Sequence, residues 1–313
     1  MDVRLAHIVN AVAPEDNPSL EKIQSVTFRS MIEAAHWKGN PPVELMSAQY
    51  SNARSMLPVG FTPTTDLVSC SAEKNELGTK KRLPLISEIL SRLKESKDAT
   101  HFILTNADIA VMPFFYSAVA QCIRLGYDAL VINRRRIRKT FENDGNLDLM
   151  YAEAGKKHAG FDCFVFERKL LDQFIASEIY ISTPPAGTDI FHNVFTFAEN
   201  PVLFTGKHLT FHIGMELVRN WGEPRLNRHN QEQFSSLLRK LKPHMKVAKF
   251  PGAGEGFFKR HFKWLMNPAF HYPTMASLDF RQWGEPRKKP RLQEDRNRYY
   301  EWLFDKTGFR ENE

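Results

Sequence analysis

The residues whose types and spacing suit chemistry gather in Thr100–Arg136. There the apolar run His101-Phe102-Ile103-Leu104 breaks into the short turn Thr105-Asn106-Ala107-Asp108. A second apolar run, Tyr127–Asn133, opens onto Arg134, Arg135, Arg136 and Arg138. A turn at the carboxyl end of a buried strand is where open α/β sheets bind their ligands. A carboxylate in such a turn can hold a hard divalent cation against a phosphate. Guanidinium groups suit phosphate because they offer paired donors in a fixed plane. Asp108 and the arginines therefore point to a phosphorylated ligand. The plain alternatives are that Asp108 only closes a strand-to-helix turn and that the arginines are a solvated surface.

Two more carboxylates stand at element boundaries. Asp162 lies in His158-Ala159-Gly160-Phe161-Asp162-Cys163, at the lip of an expected strand. Asp189 lies in Gly187-Thr188-Asp189, which reads as a helix start, so a capping role competes there. His212, in Leu209-Thr210-Phe211-His212-Ile213-Gly214, sits among apolar neighbours, where a histidine is commonly a satisfied core residue.

These residues need a scaffold, and the hydrophobic periodicity supplies one. Leu5–Val12 reads as a buried strand, followed by the turn-rich loop Ala13–Pro18. Ser19 is the expected N-cap of a helix whose apolar face, Ile23, Val26, Phe28, Met31, Ile32 and Ala35, runs to about Trp37. Pro41-Pro42 ends it, and Val43–Tyr50 reads as a second strand. Strand, helix, strand is the unit of a parallel sheet. Pro84–Leu93 and Pro113–Leu125 are expected helices, and Leu67–Cys70 is strand-like. Beyond Arg136 we expect a polar loop over Arg138–Lys157, a strand within His158–Phe166 and a short helix at Lys169–Ala176. Thr188–Phe197 reads as a helix, Val202–Thr205 as a strand and Gln231–Leu241 as a helix. The expected architecture is an α/β domain over residues 1–225, with a mostly parallel mixed sheet flanked by helices. A less regular basic extension, 226–313, comes after it.

At 313 residues, 42% hydrophobic and 25% charged, the composition is that of a globular chain with a sizeable core. Cys70, Cys122 and Cys163 are too few and too scattered for a disulfide framework or a zinc pattern. With no leader-like apolar segment at the start, this predicts a cytoplasmic setting. The apolar stretch His101–Ile123 carries Asn106, Asp108 and Pro113, and an Asp at a bilayer centre costs about 3 kcal/mol, so a span is not expected. The net charge of +7 favours an anionic partner. Lys259-Arg260, Arg287-Lys288-Lys289 and Arg291 suggest attraction to the anionic inner face of a membrane. No G-x-G-x-x-G follows the first strand, and there is no G-x-x-x-x-G-K-[ST] or G-x-S-x-G, which disfavours a dinucleotide enzyme, a P-loop kinase and an esterase elbow.

The order strand, small polar turn, Pro-initiated helix around Asn106-Ala107-Asp108 resembles the DxD region of nucleotide-sugar-dependent glycosyltransferases of the GT-A fold, family 2-like. The resemblance covers roughly residues 4–215. Asn106 replaces the first acid, giving an N-x-D variant. The resemblance implies Mn²⁺ or Mg²⁺ on Asp108, with His212 as a late second ligand and His208 as its competitor. It implies that Asn10, Glu15 and Asp16 cup the nucleoside, and that Asn106, Arg134, Arg135 and Arg136 serve the donor. It implies Asp162, or else Asp189, as the base that deprotonates an acceptor hydroxyl if the reaction inverts. The expected partners are a nucleotide-sugar donor and a glycan or lipid-linked acceptor in polysaccharide biosynthesis, with nucleic acid disfavoured. Two rival functions remain. A sugar-nucleotide pyrophosphorylase would show a glycine- and basic-rich loop after the first strand, which Val9–Asn17 lacks. A non-enzymatic basic module for nucleic acid or polyanion would use Trp264, Tyr272, Trp283, Tyr299 and Tyr300 as stacking platforms.

Overall fold

Strand β1 (Leu5–Ala11) is buried along its whole length, as a strand covered on both faces must be, and its apolar run meets that demand. It is the hub of the main sheet in the computed structural model, which describes residues 2–141, 145–158, 160–214 and 223–285. β1 pairs in parallel with β2 (Val43–Gln49) and with β4 (His101–Thr105). Between β1 and β2 runs α1 (Glu21–His36), which buries Val26, Phe28, Met31 and Ala34. Ser19 does not cap it. A 3-10 turn, Pro18–Leu20, intervenes, and the Ser19 hydroxyl donates to Asn17 Oδ1 instead.

Four further strands complete this sheet: β3 (Phe61–Pro63), β6 (Ala129–Ile132), β9 (Cys163–Glu167) and β10 (Pro201–Phe204). The order across its seven strands is β10-β6-β9-β4-β1-β2-β3. All pairings are parallel except those of β9, which runs antiparallel between β4 and β6. This is the mixed, mostly parallel α/β architecture flanked by helices. The register of β9 aligns the residues just past three strand ends. Cys163 lies opposite both Thr105 and Ile132, so Asn106, Asp162 and Asn133 come out in one row at the same edge of the sheet.

A buried polar contact locks that edge. His7 on β1 reaches Thr105 Oγ1 on β4 at 2.9 Å with one ring nitrogen and Tyr116 Oη on α3 (Phe115–Arg124) at 2.9 Å with the other. Burial holds the imidazole neutral, its pKa lowered to about 3. His101–Ile123 is thus β4, the two-residue strand β5 (Ala110–Val111) and α3. Among the described residues no helix is long and apolar enough to cross a membrane.

A second sheet, unforeseen in the sequence, joins β5 to three short strands: β7 (Arg135–Ile137), β8 (Lys156–Lys157) and β11 (Thr210–Ile213). Its order is β5-β11-β7-β8. β11 sits between β5 and β7, with Phe211 opposite Ala110 on one side and Arg135 on the other. The expected loop 138–157 therefore carries β8 and the single turn-and-a-half of α4 (Leu147–Ala152). Gly155 makes the turn into β8 possible. Its φ is +58°, and a Cβ there would run into the Arg136 carbonyl. Leu67–Cys70 is not a strand, and of Lys169–Ala176 only a 3-10 turn, Arg168–Leu170, is helical.

The chain divides into two compact units, Met1–Met245 and Lys246–Glu313. The expected boundary at 225 falls at the start of α6 (Pro224–Leu241), which belongs to the first unit: Leu226 packs with Leu77 and Tyr180, and Asn230 is bonded both ways to the Tyr180 backbone. Within the second unit, α7 (Phe257–Met266) and α8 (Tyr272–Arg281) pack around buried Trp264 and an Arg260–Asp279 ion pair of 2.7 Å. Trp264 is fully buried, its indole N–H bonded to the Pro251 carbonyl. It cannot serve as the exposed stacking platform that the nucleic-acid alternative needs. Arg287-Lys288-Lys289, Arg291, Tyr299 and Tyr300 lie outside the described residues.

Candidate active site

Four side chains far apart in sequence converge at the carboxyl ends of β4 and β6. The turn after β4 closes through the Ile109 N–H donating to the Asn106 carbonyl, 3.1 Å. Asn106 is exposed at its tip, and Asp108 follows with a side chain only 13% exposed. β11 brings His212 to it. His212 Nδ1 lies 3.4 Å from Asp108 Oδ2 and 3.1 Å from the Asp108 carbonyl oxygen. Two strands of the small sheet, β5 and β11, therefore clamp the pair.

Beside them Asp162 receives a hydrogen bond from the Arg134 guanidinium. Burial is the main influence on Asp162 and raises its pKa. Arg134 opposes this, the Asp108 charge adds to it, and His212 opposes it, so all three bear on Asp162. His158 Nδ1 is 3.8 Å from Asp162 Oδ2, but that nitrogen accepts the Gly160 N–H at 2.9 Å, an assignment that turns a lone pair rather than a proton to it. Asp162 Oδ2 is buried and has no hydrogen-bond partner among the described residues. The loop that carries it is tied down by Asn133, whose side-chain amide donates to the His158 carbonyl, 3.0 Å.

Arg135 and Arg136 are bonded to backbone carbonyls. Arg135 donates to the carbonyls of Ala154, Gly155 and Gly206. Arg136 is 6% exposed and donates to the Lys157 carbonyl at 3.3 Å. Arg135 thus ties loops to the small sheet, and Arg136 ties β7 to β8. His208 faces Arg135 rather than Asp108. Its pKa is lowered to about 4, by burial first and then by that arginine.

Asp189 also stands apart. It opens α5 (Thr188–Phe197) and lines a depression of about 130 Å³ with Ile86, Leu90, Phe174 and Asn193. Ser177 Oγ donates to it at 3.4 Å, and burial raises its pKa to about 6 against the bonds from the helix-start backbone N–H groups. Its surroundings are those of a buried helix-start carboxylate.

At the other side of the sheet edge, Asn10 spends its amide on the Ala48 carbonyl, 2.9 Å, bridging β1 and β2. Glu15 and Asp16 accept from Asn52 Nδ2 at 2.8 and 3.1 Å. Asp16 also faces Arg82 at 3.6 Å, and the Arg82 guanidinium lies 4.5 Å over the Tyr50 ring. Sequence reasoning misses Asn52, Tyr50 and Arg82 as parts of this rim. Tyr50 stands at the end of the second strand, and that position is the signal that could have found it.

The donor set suits a cation only in part. Asp108 and His212 offer one carboxylate oxygen and one imidazole nitrogen at adjoining positions. Among the described residues no group of three or more His, Cys, Asp or Glu is placed to hold an ion. Mg²⁺ is usually bound through one or two carboxylates together with substrate phosphates and water. A pair of protein ligands beside an arginine fits a cation that arrives with a diphosphate, not one caged by the protein.

No family model matches the chain, and no curated protein matches it. Solved structures do resemble it. Residues 1–349 of S. aureus TarS in complex with UDP-GlcNAc align over 97% of this chain and 80% of that one, at 10% identity and a TM-score of 0.47. The mannosyltransferase PcManGT of Pyrobaculum calidifontis, in complex with GDP-Man and Mn²⁺, aligns over 96% and 82%, at 14% identity and 0.45. The 4-diphosphocytidyl-2C-methyl-D-erythritol synthase of Anaerococcus prevotii aligns over 74% and 99%, at 8% and 0.38. The neighbours are GT-A-like glycosyltransferases and related nucleotidyltransferases. Likeness of this degree assigns no residue a role.

Proposed function

We propose that the chain is a glycosyltransferase that moves a sugar from a nucleoside-diphosphate donor to a hydroxyl of a glycan or lipid-linked acceptor. The observation that supports this most is the meeting of Asp108, His212, Arg134 and Asp162 at one sheet edge, with Asp162 Oδ2 buried and unpartnered. That arrangement couples a phosphate-side half, made of a cation-ligating pair and a guanidinium, to a proton-accepting half.

Asp108 and His212 would hold Mg²⁺ or Mn²⁺. When bound, such a cation neutralises the charge that grows on a leaving diphosphate. The protein's own groups do the rest. Arg134 steadies the donor and at the same time opposes the burial that raises the Asp162 pKa. In an inverting reaction the acceptor oxygen attacks the anomeric carbon, the bond from that carbon to the diphosphate oxygen breaks, and the diphosphate leaves with the electron pair. The acceptor proton passes to Asp162 Oδ2. A carboxylate raised by burial is a stronger base than a solvated one, which suits this step. The nucleoside lies across the ends of β1 and β2, where Glu15, Asp16 and Asn52 form a polar rim and Arg82 on Tyr50 forms a flat wall. Asn10, Arg135 and Arg136 shape the walls through backbone carbonyls.

Release of nucleoside diphosphate from UDP-, GDP- and CDP-sugars, measured with Mn²⁺ or Mg²⁺, tests the reading. We expect slow hydrolysis of one nucleotide class, abolished by Asp108→Asn. Hydrolysis of none, or hydrolysis unchanged in a folded Asp108→Asn variant, overturns it.

A further inference from the structure

The second unit carries a surface that the transferase reading leaves unused. On α7, Arg260, His261 and Trp264 face inward, at the i, i+3/i+4 spacing of one helix face. Outward stand Phe258, Phe262, Leu265 and Met266, which are 86%, 64%, 57% and 64% exposed. At about 100° per residue, these four fall on one arc of the helix. The arc continues onto α8 through rings in contact. Phe257 is 5.4 Å from Phe258, 6.1 Å from Phe280 and 5.9 Å from Trp283, and the last two are themselves mostly exposed. Of the large exposed apolar side chains among the described residues, six lie here, whereas Trp37, Val59, Val68 and Leu149 are scattered over the first unit. A contiguous patch of this kind marks an interaction surface.

Charge decides the partner. Lys259 and Lys263 border the arc on the side away from the core, and Glu255 pairs with both, so one positive charge of that group is left over. Residues 246–285 hold six Lys or Arg against three Asp or Glu, and the buried Arg260–Asp279 pair cancels internally. The sequence then runs on through Arg287-Lys288-Lys289 and Arg291 before its next acid. An apolar arc of Phe, Leu, Met and Trp with lysines on its rim is the pattern of a helix that lies in the plane of a bilayer interface. Anionic headgroups answer the surplus charge. A second copy of this chain would set basic rim against basic rim. We propose that α7 and the end of α8 dock on an anionic lipid surface, with Phe258, Phe262, Leu265 and Met266 entering the headgroup–acyl boundary. This rests on the second unit alone and does not depend on the transferase reading.

The test is sedimentation of the full chain with vesicles of phosphatidylcholine alone or mixed with phosphatidylglycerol. We expect binding to the mixed vesicles only, and a blue shift of tryptophan emission that Trp283→Phe reduces. The Phe258→Glu/Phe262→Glu double variant, altered at exposed positions, is expected to keep its melting temperature and lose binding at least tenfold. Lys259→Gln is expected to weaken it about fivefold, the effect of one basic residue near such a surface. Absence of binding to the mixed vesicles, equal binding to both vesicle types, or binding unchanged in the double variant overturns the proposal. Lipid-free self-association that the double variant abolishes also overturns it, in favour of a contact between copies.

Discussion

His212 Nδ1 and Asp108 Oδ2 lie 3.4 Å apart across 104 residues of chain. Neither β11, which carries His212, nor β5, which begins two residues after Asp108, is long. What fixes the distance is the pairing of β11 with β5, two residues deep, and with β7 on its other side. If the pair ligates a cation, His212→Ala leaves the fold in place and raises the half-saturating Mn²⁺ concentration for donor hydrolysis. A rise of at least about tenfold is expected, the ratio given by 1.4 kcal/mol. A metal titration of nucleoside-diphosphate release checks it.

Asp162 and Arg134 should separate chemistry from binding. Asp162→Asn is expected to lower transfer by about 10²–10⁴-fold, the range for a lost general base. Donor affinity should change little. Arg134→Met removes the charge that opposes burial, so the Asp162 pKa rises and the acid limb of the rate profile moves to higher pH. Initial rates across pH, compared with donor binding by calorimetry, distinguish these outcomes.

Asp189 gives a stability signature instead. Its folded pKa, about 6, is above the ordinary 3.8, so the native state holds the proton more tightly than the unfolded chain. The stabilisation is fully present below about pH 4 and is lost as pH rises through about 6. At about 1.4 kcal/mol per pH unit, the loss comes to about 3 kcal/mol. Denaturant unfolding should show this slope in the parent chain and not in Asp189→Asn.

In the second unit, Asp279 is fully buried and accepts from Arg260 at 2.7 and 3.0 Å and meets His261 Nε2 at 2.9 Å. Asp279→Ala strands the arginine. The expected cost is about 3–5 kcal/mol, as for one partner removed from a buried pair. Limited proteolysis should then cut within residues 246–285 while the first unit stays protected.

Much of the fold is legible in the sequence because the signals are local. Thr188–Phe197 reads as a helix from its own periodicity and is one. The runs that form β1, β4 and β6 are short and apolar because both faces of the sheet are covered. Pairing is what cannot be read. The antiparallel course of β9 puts Asp162 beside Arg134, and nothing within either segment specifies it. The second sheet rests on strands of two to four residues, too short for any period to show. Arg134, Arg135 and Arg136 look equivalent as a run. Their separate fates come from what the fold brings near each: the Asp162 carboxylate for Arg134, the Gly155 carbonyl for Arg135 and the Lys157 carbonyl on β8 for Arg136. The Asp189 environment likewise depends on which way α5 is turned against α2 (Ile86–Arg92).

In the proposed function, Asp108 and His212 are half of a site completed by a metal–nucleotide complex. Melting temperatures of the full chain with UDP, GDP or CDP, each with Mn²⁺, Mg²⁺ or EDTA, test it most directly. Ligand at 100 times its Kd stabilises by about 2.7 kcal/mol, a shift that such a scan resolves. We expect a rise with one nucleoside diphosphate, present with metal, absent with EDTA and absent in Asp108→Asn. No rise with any nucleotide and metal pairing, or a rise that persists in EDTA and in Asp108→Asn, contradicts it.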